Sequence, residues 1–261
     1  MNPDISEFSY GFALTDELIH WLGTSITAAP VFPSLYREGQ AGGGQAVMLQ
    51  RPGIPLFLQF KLSHCMVRNS ASEAKDGYFA PPFYRMHIRP TRHSDQHEML
   101  LELEADGNEV YYSAPAFHTP DHLNDAYLTH QVRSRSLWLR PSVIGPLPDN
   151  CDHHIAFQLP GTHIFCSQPR KIEAKGDFKE FSEHIVTAYQ KKGRNALATE
   201  NLTKLSETMK RISSKRRDIS DTAKKRTDES LSKRHPLASV SFYAHVFFDC
   251  QLYLVREKMR R

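Results

Sequence analysis

The segment Leu56-Phe57-Leu58-Gln59-Phe60-Lys61-Leu62 constrains the fold of this chain most, because it has the composition of a buried strand and yet carries two polar side chains. Successive side chains of a strand point to opposite faces of a sheet, so Gln59 and Lys61 share one face. Burying an unpaired amide or ammonium group costs roughly a few kcal/mol. We therefore expect these two side chains to face either a functional pocket or a salt-bridge partner.

Apolar periodicity in the rest of the chain predicts alternating helices and short strands. The predicted helices cover 12–22, 96–104, 120–129 and a stretch that begins at the capping pair Asp177 and Glu180. The predicted strands cover 45–50, 55–62, 84–88, 109–114, 136–139, 154–159 and 162–167. A further helix and a final strand are predicted within 237–256. The Pro52-Gly53 turn predicts an antiparallel hairpin of 45–50 with 55–62. This order favours an α/β fold, with one mixed sheet flanked by helices.

Positive charge is concentrated near the C-terminus. Residues 191–235 hold fourteen Lys or Arg and six Asp or Glu, a net charge of +8 in a chain whose total is +4, so the remainder is mildly acidic. Apolar residues recur at spacings of four and three from Ala198 to Ile212, which predicts a long basic helix over 196–223 that packs on the body or on a partner. We therefore divide the chain into an α/β core, 1–190 with 237–261, and a basic helical segment or linker, 191–236.

A basic segment of this kind favours a polyanion or an acidic protein surface as its partner, with a merely solvated helix face as the alternative. Nucleic acid is the predicted partner, and a protein could bind the 196–223 helix instead. The cations that we predict to contact nucleic acid are Lys210, Arg211, Lys215, Arg216, Arg217, Lys224, Lys225 and Arg226.

The chain has features of a cytoplasmic protein without a membrane segment. It contains no apolar run of 18 or more residues, and its first residues lack the basic region of a signal peptide. Its four Cys lack the paired spacing of a disulfide framework, which favours a reducing compartment. The group of His and Cys residues over 151–166 lacks the close ligand spacing of zinc sites, which disfavours zinc there.

The predicted hairpin with Gln59-Phe60-Lys61 resembles the core of the restriction-endonuclease-like superfamily, the PD-(D/E)xK phosphodiesterases. In that fold a helix precedes a hairpin, and the second hairpin strand carries Glu or Gln, one spacer residue and Lys. A further helix and strand follow, as they are predicted to do here. The resemblance covers residues 10–115.

The resemblance implies a Mg²⁺-dependent nuclease that acts on nucleic acid, in a context such as genome defence. Lys61 would orient or deprotonate the attacking water, with Gln59 beside the metal. Glu17, on the first helix, and Glu38, in the loop before the hairpin, would be catalytic carboxylates and metal ligands. The chain departs from the family pattern because Ala46 stands near the position of the usual Asp, and no acidic residue lies between Glu38 and Glu73. The alternative is therefore a subunit that keeps the nuclease fold without cleavage and binds nucleic acid or a partner protein.

Overall fold

The computed structural model describes residues 1–20, 52–161, 163–166, 170–216, 229, 231 and 235–257, together with the backbone of 24–26. The helices are α1 (Glu7–His20), α2 (Ser72–Lys75), α3 (Gln96–Ala105), α4 (Pro120–Leu128), α5 (Pro141–Ile144), α6 (Phe178–Lys192), α7 (Thr199–Ser213) and α8 (Pro236–Val246). The strands are β1 (Thr24–Ile26), β2 (Ile54–Phe60), β3 (Ser63–Met66), β4 (Phe83–Ile88), β5 (Glu109–Pro115), β6 (Ser136–Leu139), β7 (His153–Phe157), β8 (His163–Phe165), β9 (Arg170–Lys171) and β10 (Gln251–Glu257).

Helix ends follow the capping signals of the sequence. The Asp177 carboxylate accepts a hydrogen bond from the Glu180 backbone N–H at 2.8 Å and so starts α6. The Thr119 hydroxyl likewise accepts from the His122 N–H and starts α4, with Pro120 in the first turn. Such caps satisfy backbone N–H groups that have no partner within the helix. The α/β composition predicted from the sequence is confirmed.

The strands form two five-stranded sheets, whereas a single sheet was predicted. The first sheet has the order β1-β10-β2-β5-β6, and β2 and β5 are its parallel pair; the second has the order β3-β4-β7-β8-β9 and is antiparallel. Only Lys61 and Leu62 separate β2 from β3, so the chain passes from one sheet to the other at that point. The prediction missed β3 because Ser63-His64-Cys65-Met66 is short and polar, and only its pairing with β4 identifies it.

Both edges of β2 are paired, with β5 on one side and β10 on the other. The antiparallel neighbour of β2 therefore comes from the C-terminal end of the chain, whereas the sequence analysis assigned that place to 45–50. Residues 45–50 lie outside the described residues.

The first sheet buries both of its faces. Alternate residues of β2, such as Leu56 and Leu58, pack with α1 and α6, while Phe57 packs with α3, α7 and α8. The apolar stripe of α7 (Leu202, Leu205, Met209 and Ile212) lies in the same core as α8, so the part of the basic segment described here packs on the body. Among the described residues, no helix combines the length and the apolar character that crossing a membrane requires.

Candidate functional site

Lys61 lies at the carboxyl end of β2, where the chain leaves the first sheet. Its backbone N–H donates to the Ser113 carbonyl on the parallel strand β5 at 2.9 Å. Lys61 is thereby held one residue beyond Phe60, the last residue of β2 that pairs with β5. Its side chain is only 8% exposed. In open α/β sheets, ligands bind outside the carboxyl ends of the strands, which is the position Lys61 occupies.

Three buried side chains form a polar network at this end of the sheet. The Lys61 ammonium donates to Gln96 Oε1 at 3.0 Å, and Gln96 Nε2 donates to Gln59 Oε1 at 2.7 Å. The Gln96 amide also donates to the Phe248 carbonyl at 3.2 Å. Gln96, the first residue of α3, therefore ties the two polar residues of the β2 segment to the turn before β10.

The Lys61 ammonium has more donors than partners. An ammonium group carries three N–H donors, and Gln96 accepts the one hydrogen bond that Lys61 donates among the described residues. Burial lowers the pKa of Lys61, an effect that the Glu7 carboxylate opposes and the positive charge of Arg89 reinforces. Lys61 is thus a desolvated cation with N–H groups available to a ligand.

A cavity of about 590 Å³ opens beside this ammonium. One wall is α1, through Phe8, Gly11, Phe12 and Thr15, and the wall behind Lys61 includes Gln59 and Cys250. The volume lies within the range typical of small-ligand sites. Gly11 is needed for the close contact of α1 with β2, because a Cβ atom there would lie 2.8 Å from the Phe60 ring.

Two arginines and two carboxylates are among the residues that line the cavity. Arg89 follows β4, and Arg216, which follows α7, donates to the Phe247 carbonyl. Glu7 and Asp249 also line the cavity and offset part of this positive charge. Desolvation at the cavity wall raises the pKa of the exposed Glu7 carboxyl, against the lowering effects of Lys61 and Arg89.

Two large aromatic side chains project from α1 beside the cavity. Phe8 is 75% exposed and Phe12 is 63% exposed, although both are apolar. They are separated by four residues, so they lie on the same face of the helix. Both line the Lys61 cavity and also the neighbouring groove between α1 and α4. Contiguous exposed apolar surface of this kind can mark a binding site.

Glu17 lies away from this cavity, on the buried face of α1. Its carboxylate is 2% exposed and accepts hydrogen bonds from the backbone N–H groups of Val132 and Arg133 at 2.7 and 3.0 Å. The Arg133 guanidinium adds an ion pair at 3.2 Å. The structure therefore gives Glu17 a structural role in holding the loop before β6, and it does not bring Glu17 together with Lys61 or Gln59.

The other predicted site residues are dispersed. Arg211 and Lys215 form ion pairs with Glu102 on α3, and Lys210 is exposed on α7. Of the predicted cationic residues, Arg216 alone among those described lines the Lys61 cavity. Glu38, Arg217, Lys224, Lys225 and Arg226 lie outside the described residues.

Three grouped metal ligands are absent from the described part of the chain. Mg²⁺ requires an octahedral set of oxygen ligands and usually one or two carboxylates placed together. Over the described part of the chain, no three His, Cys, Asp or Glu side chains are grouped so that they could hold a metal ion. Gln59 Oε1 already accepts from Gln96, and the Lys61 ammonium lies beside it. This donor set suits an anion better than a cation.

Sequence reasoning missed Gln96, Phe8, Phe12 and Asp249. Gln96 was predicted only as the start of a helix, although buried Gln59 and Lys61 side chains require hydrogen-bond partners. Phe12 carried a signal, because it lies outside the apolar stripe of the helix predicted over 12–22, whereas Phe8 precedes that range and joins the helix only because the helix begins at Glu7. Asp249 has a positive φ of 51° in the turn between α8 and β10, and nothing in the sequence placed that turn beside Lys61.

Comparisons of the chain with protein-family models, curated proteins and solved structures find no match.

Proposed function

We propose that this chain is a nuclease-like protein that binds single-stranded nucleic acid at the Lys61 cavity and holds it without cleavage. The observation that carries the proposal is the juxtaposition of a buried ammonium and two arginines with two exposed phenylalanines on one helix. The Gln-x-Lys resemblance to phosphodiesterases is a separate reason to favour nucleic acid as the ligand.

The chemistry of the cavity matches a single strand. Non-specific sites for single strands combine cations that follow the phosphates with aromatic side chains on which bases stack. Lys61, Arg89 and Arg216 supply the cations, and Phe8 with Phe12 supplies the stacking surface. Bases in a duplex are already stacked on each other and cannot reach these rings, so an unpaired strand fits better.

The donor set of the described residues supports binding without cleavage. Phosphodiester hydrolysis by this class of enzyme needs carboxylates that hold a metal ion beside the scissile phosphate. Glu17 accepts hydrogen bonds from a loop elsewhere, and Glu7 and Asp249 are the carboxylates that line the cavity. The Asp249 carboxylate accepts a hydrogen bond from the Gln96 amide at 3.3 Å, and neither carboxylate belongs to a group of three candidate ligands among the described residues.

The proposal is tested by fluorescence anisotropy with labelled single-stranded DNA and RNA of one sequence at about 50–200 mM salt. Over this range, affinity falls with salt in proportion to the number of phosphate contacts. We expect Phe8→Ala with Phe12→Ala to weaken binding by about tenfold or more, because stacking contributes about 1–3 kcal/mol per base. Arg216→Gln should lower the salt slope by about 0.7. Leu128→Ala, which removes another large exposed apolar side chain (68% exposed), is the matched control and should bind normally.

The same samples, incubated with Mg²⁺ or Mn²⁺, test cleavage. Intact strands are the expected result. Metal-dependent cutting that Lys61→Ala abolishes would replace this proposal with the nuclease that the resemblance implies. Absence of binding to any single strand would contradict the proposal altogether.

A further inference from the structure

We infer that the Lys61 cavity receives the phosphorylated end of a strand, and not a phosphate in its interior. This inference rests on the proposed function and narrows it to one class of ligand, a single strand that carries a terminal phosphate monoester. Three features of the cavity support it: the burial of the ammonium, the buried floor around it and the position of the aromatic pair.

The ammonium lies too deep for an internal phosphate. Lys61 is almost fully buried, so a ligand must extend a narrow group inward to reach it. An internal phosphodiester carries a sugar on each side and needs a groove that is open in both directions. A terminal phosphate carries a sugar on one side only, and can therefore enter a cavity that is closed at its far end.

Buried side chains form the floor of this cavity, because Gln59 and Cys250 line it and are only 4% and 1% exposed. Gln96 is buried beside them and accepts the hydrogen bond from the Lys61 ammonium. The two amides are joined by a 2.7 Å hydrogen bond, and Gln96 also donates to the Phe248 carbonyl. A strand cannot continue past them without breaking this network.

The charge of the cavity also suits a monoester. A phosphate monoester carries about −1.5 to −2 charges near pH 7, whereas a diester carries one. A buried ammonium with available N–H groups gains more from the larger charge, because its electrostatic interactions are less screened than those of a surface lysine. Glu7 and Asp249 also line the cavity, where they offset part of its positive charge, and the Asp249 carboxylate accepts a hydrogen bond from the Gln96 amide at 3.3 Å.

The aromatic pair sets the direction of the strand. Phe8 and Phe12 lie on the α1 wall and continue onto the outer groove beside α4. A strand whose terminal phosphate contacts Lys61 would leave the cavity along this wall, where its first bases can stack. A free mononucleotide would reach the ammonium but would use little of this surface.

The experiment compares strands that differ only at their ends. One oligonucleotide sequence is prepared with hydroxyl ends, with a 5′-phosphate, with a 3′-phosphate and as a closed circle, and affinities are measured by anisotropy. We expect one of the phosphorylated forms to bind at least about tenfold more tightly than the hydroxyl form, and the circle to bind no better than the hydroxyl form. Lys61→Met should abolish this preference, while the Phe8 and Phe12 variant should keep it at lower overall affinity.

Lys179→Met is the matched control, because Lys179 is an exposed lysine that pairs with Glu183 on the same helix, α6, and does not line the Lys61 cavity. Equal affinity for all four strands would overturn the end-binding inference while leaving single-strand binding intact. A mononucleotide that binds as tightly as the phosphorylated strand would overturn it as well, because the aromatic pair would then contribute nothing. Failure of every strand to bind contradicts the proposed function instead, so the two failures are distinguishable.

Discussion

Glu17 and Lys61 are both buried charges beside the first sheet, yet their surroundings differ. The Glu17 carboxylate accepts hydrogen bonds from two backbone N–H groups and forms an ion pair with Arg133. The Lys61 ammonium donates one hydrogen bond to a described residue and faces a cavity of about 590 Å³. A buried charge with its partners in place stabilises the fold, whereas one with donors directed at a cavity is available to a ligand.

The largest effect on stability should come from removing the fully partnered charge. We expect Glu17→Ala to lower the free energy of unfolding by about 3 kcal/mol, because two backbone N–H groups and the Arg133 guanidinium lose their acceptor together. Urea unfolding monitored by circular dichroism measures it. Glu183→Ala, which breaks an exposed pair on α6, is the control and should change stability by no more than about 0.5 kcal/mol. A similar small loss for Glu17→Ala would remove the contrast between the two sites.

Acid should weaken the fold through a second fully partnered group, His97. Its ring nitrogens face the Tyr112 hydroxyl at 2.9 Å and the Gly145 carbonyl at 2.8 Å, and burial lowers its pKa to about 4. Because the unfolded chain binds this proton near pH 6.5, the contribution to stability is complete above pH 6.5 and is lost as the pH falls toward 4. Protonation of His97 alone should lower the free energy of unfolding by about 3 kcal/mol.

Urea unfolding at several pH values measures this loss. We expect His97→Gln to reduce the slope of the free energy of unfolding against pH. Some slope should remain, since burial also lowers the pKa of His154 to about 4. An unchanged slope in His97→Gln would show that His97 is not a source of the acid sensitivity.

The smallest effect on stability should come from the charge beside the cavity. We expect Lys61→Met to change the free energy of unfolding by no more than about 1 kcal/mol, because the relief of a desolvated charge offsets the hydrogen bond lost by Gln96. The same urea series measures this change, and the binding assays above measure the loss of affinity. If Lys61→Met lowers the free energy of unfolding by about 3 kcal/mol, as expected for Glu17→Ala, Lys61 stabilises the fold in the same way as Glu17.

Local signals in the sequence predicted much of the fold. The capping residues Thr119 and Asp177 start the helices they were predicted to start. The apolar runs at 55–62 and 109–114 form β2 and β5. These signals act over a few residues, through hydrogen bonds and side-chain periodicity, and so they survive any arrangement of the rest of the chain.

The sequence by itself predicted that Gln59 and Lys61 lie on one side of an apolar segment, because side chains alternate along a strand, and the structure shows that both are buried. Only the tertiary structure decided what surrounds them. Gln96, Arg216 and Asp249 come from three distant parts of the chain and meet Lys61 through the pairing of β2 with β5 and β10 and the packing of α7. Contacts between elements depend on loop closure and core packing across the whole molecule, which no local pattern records.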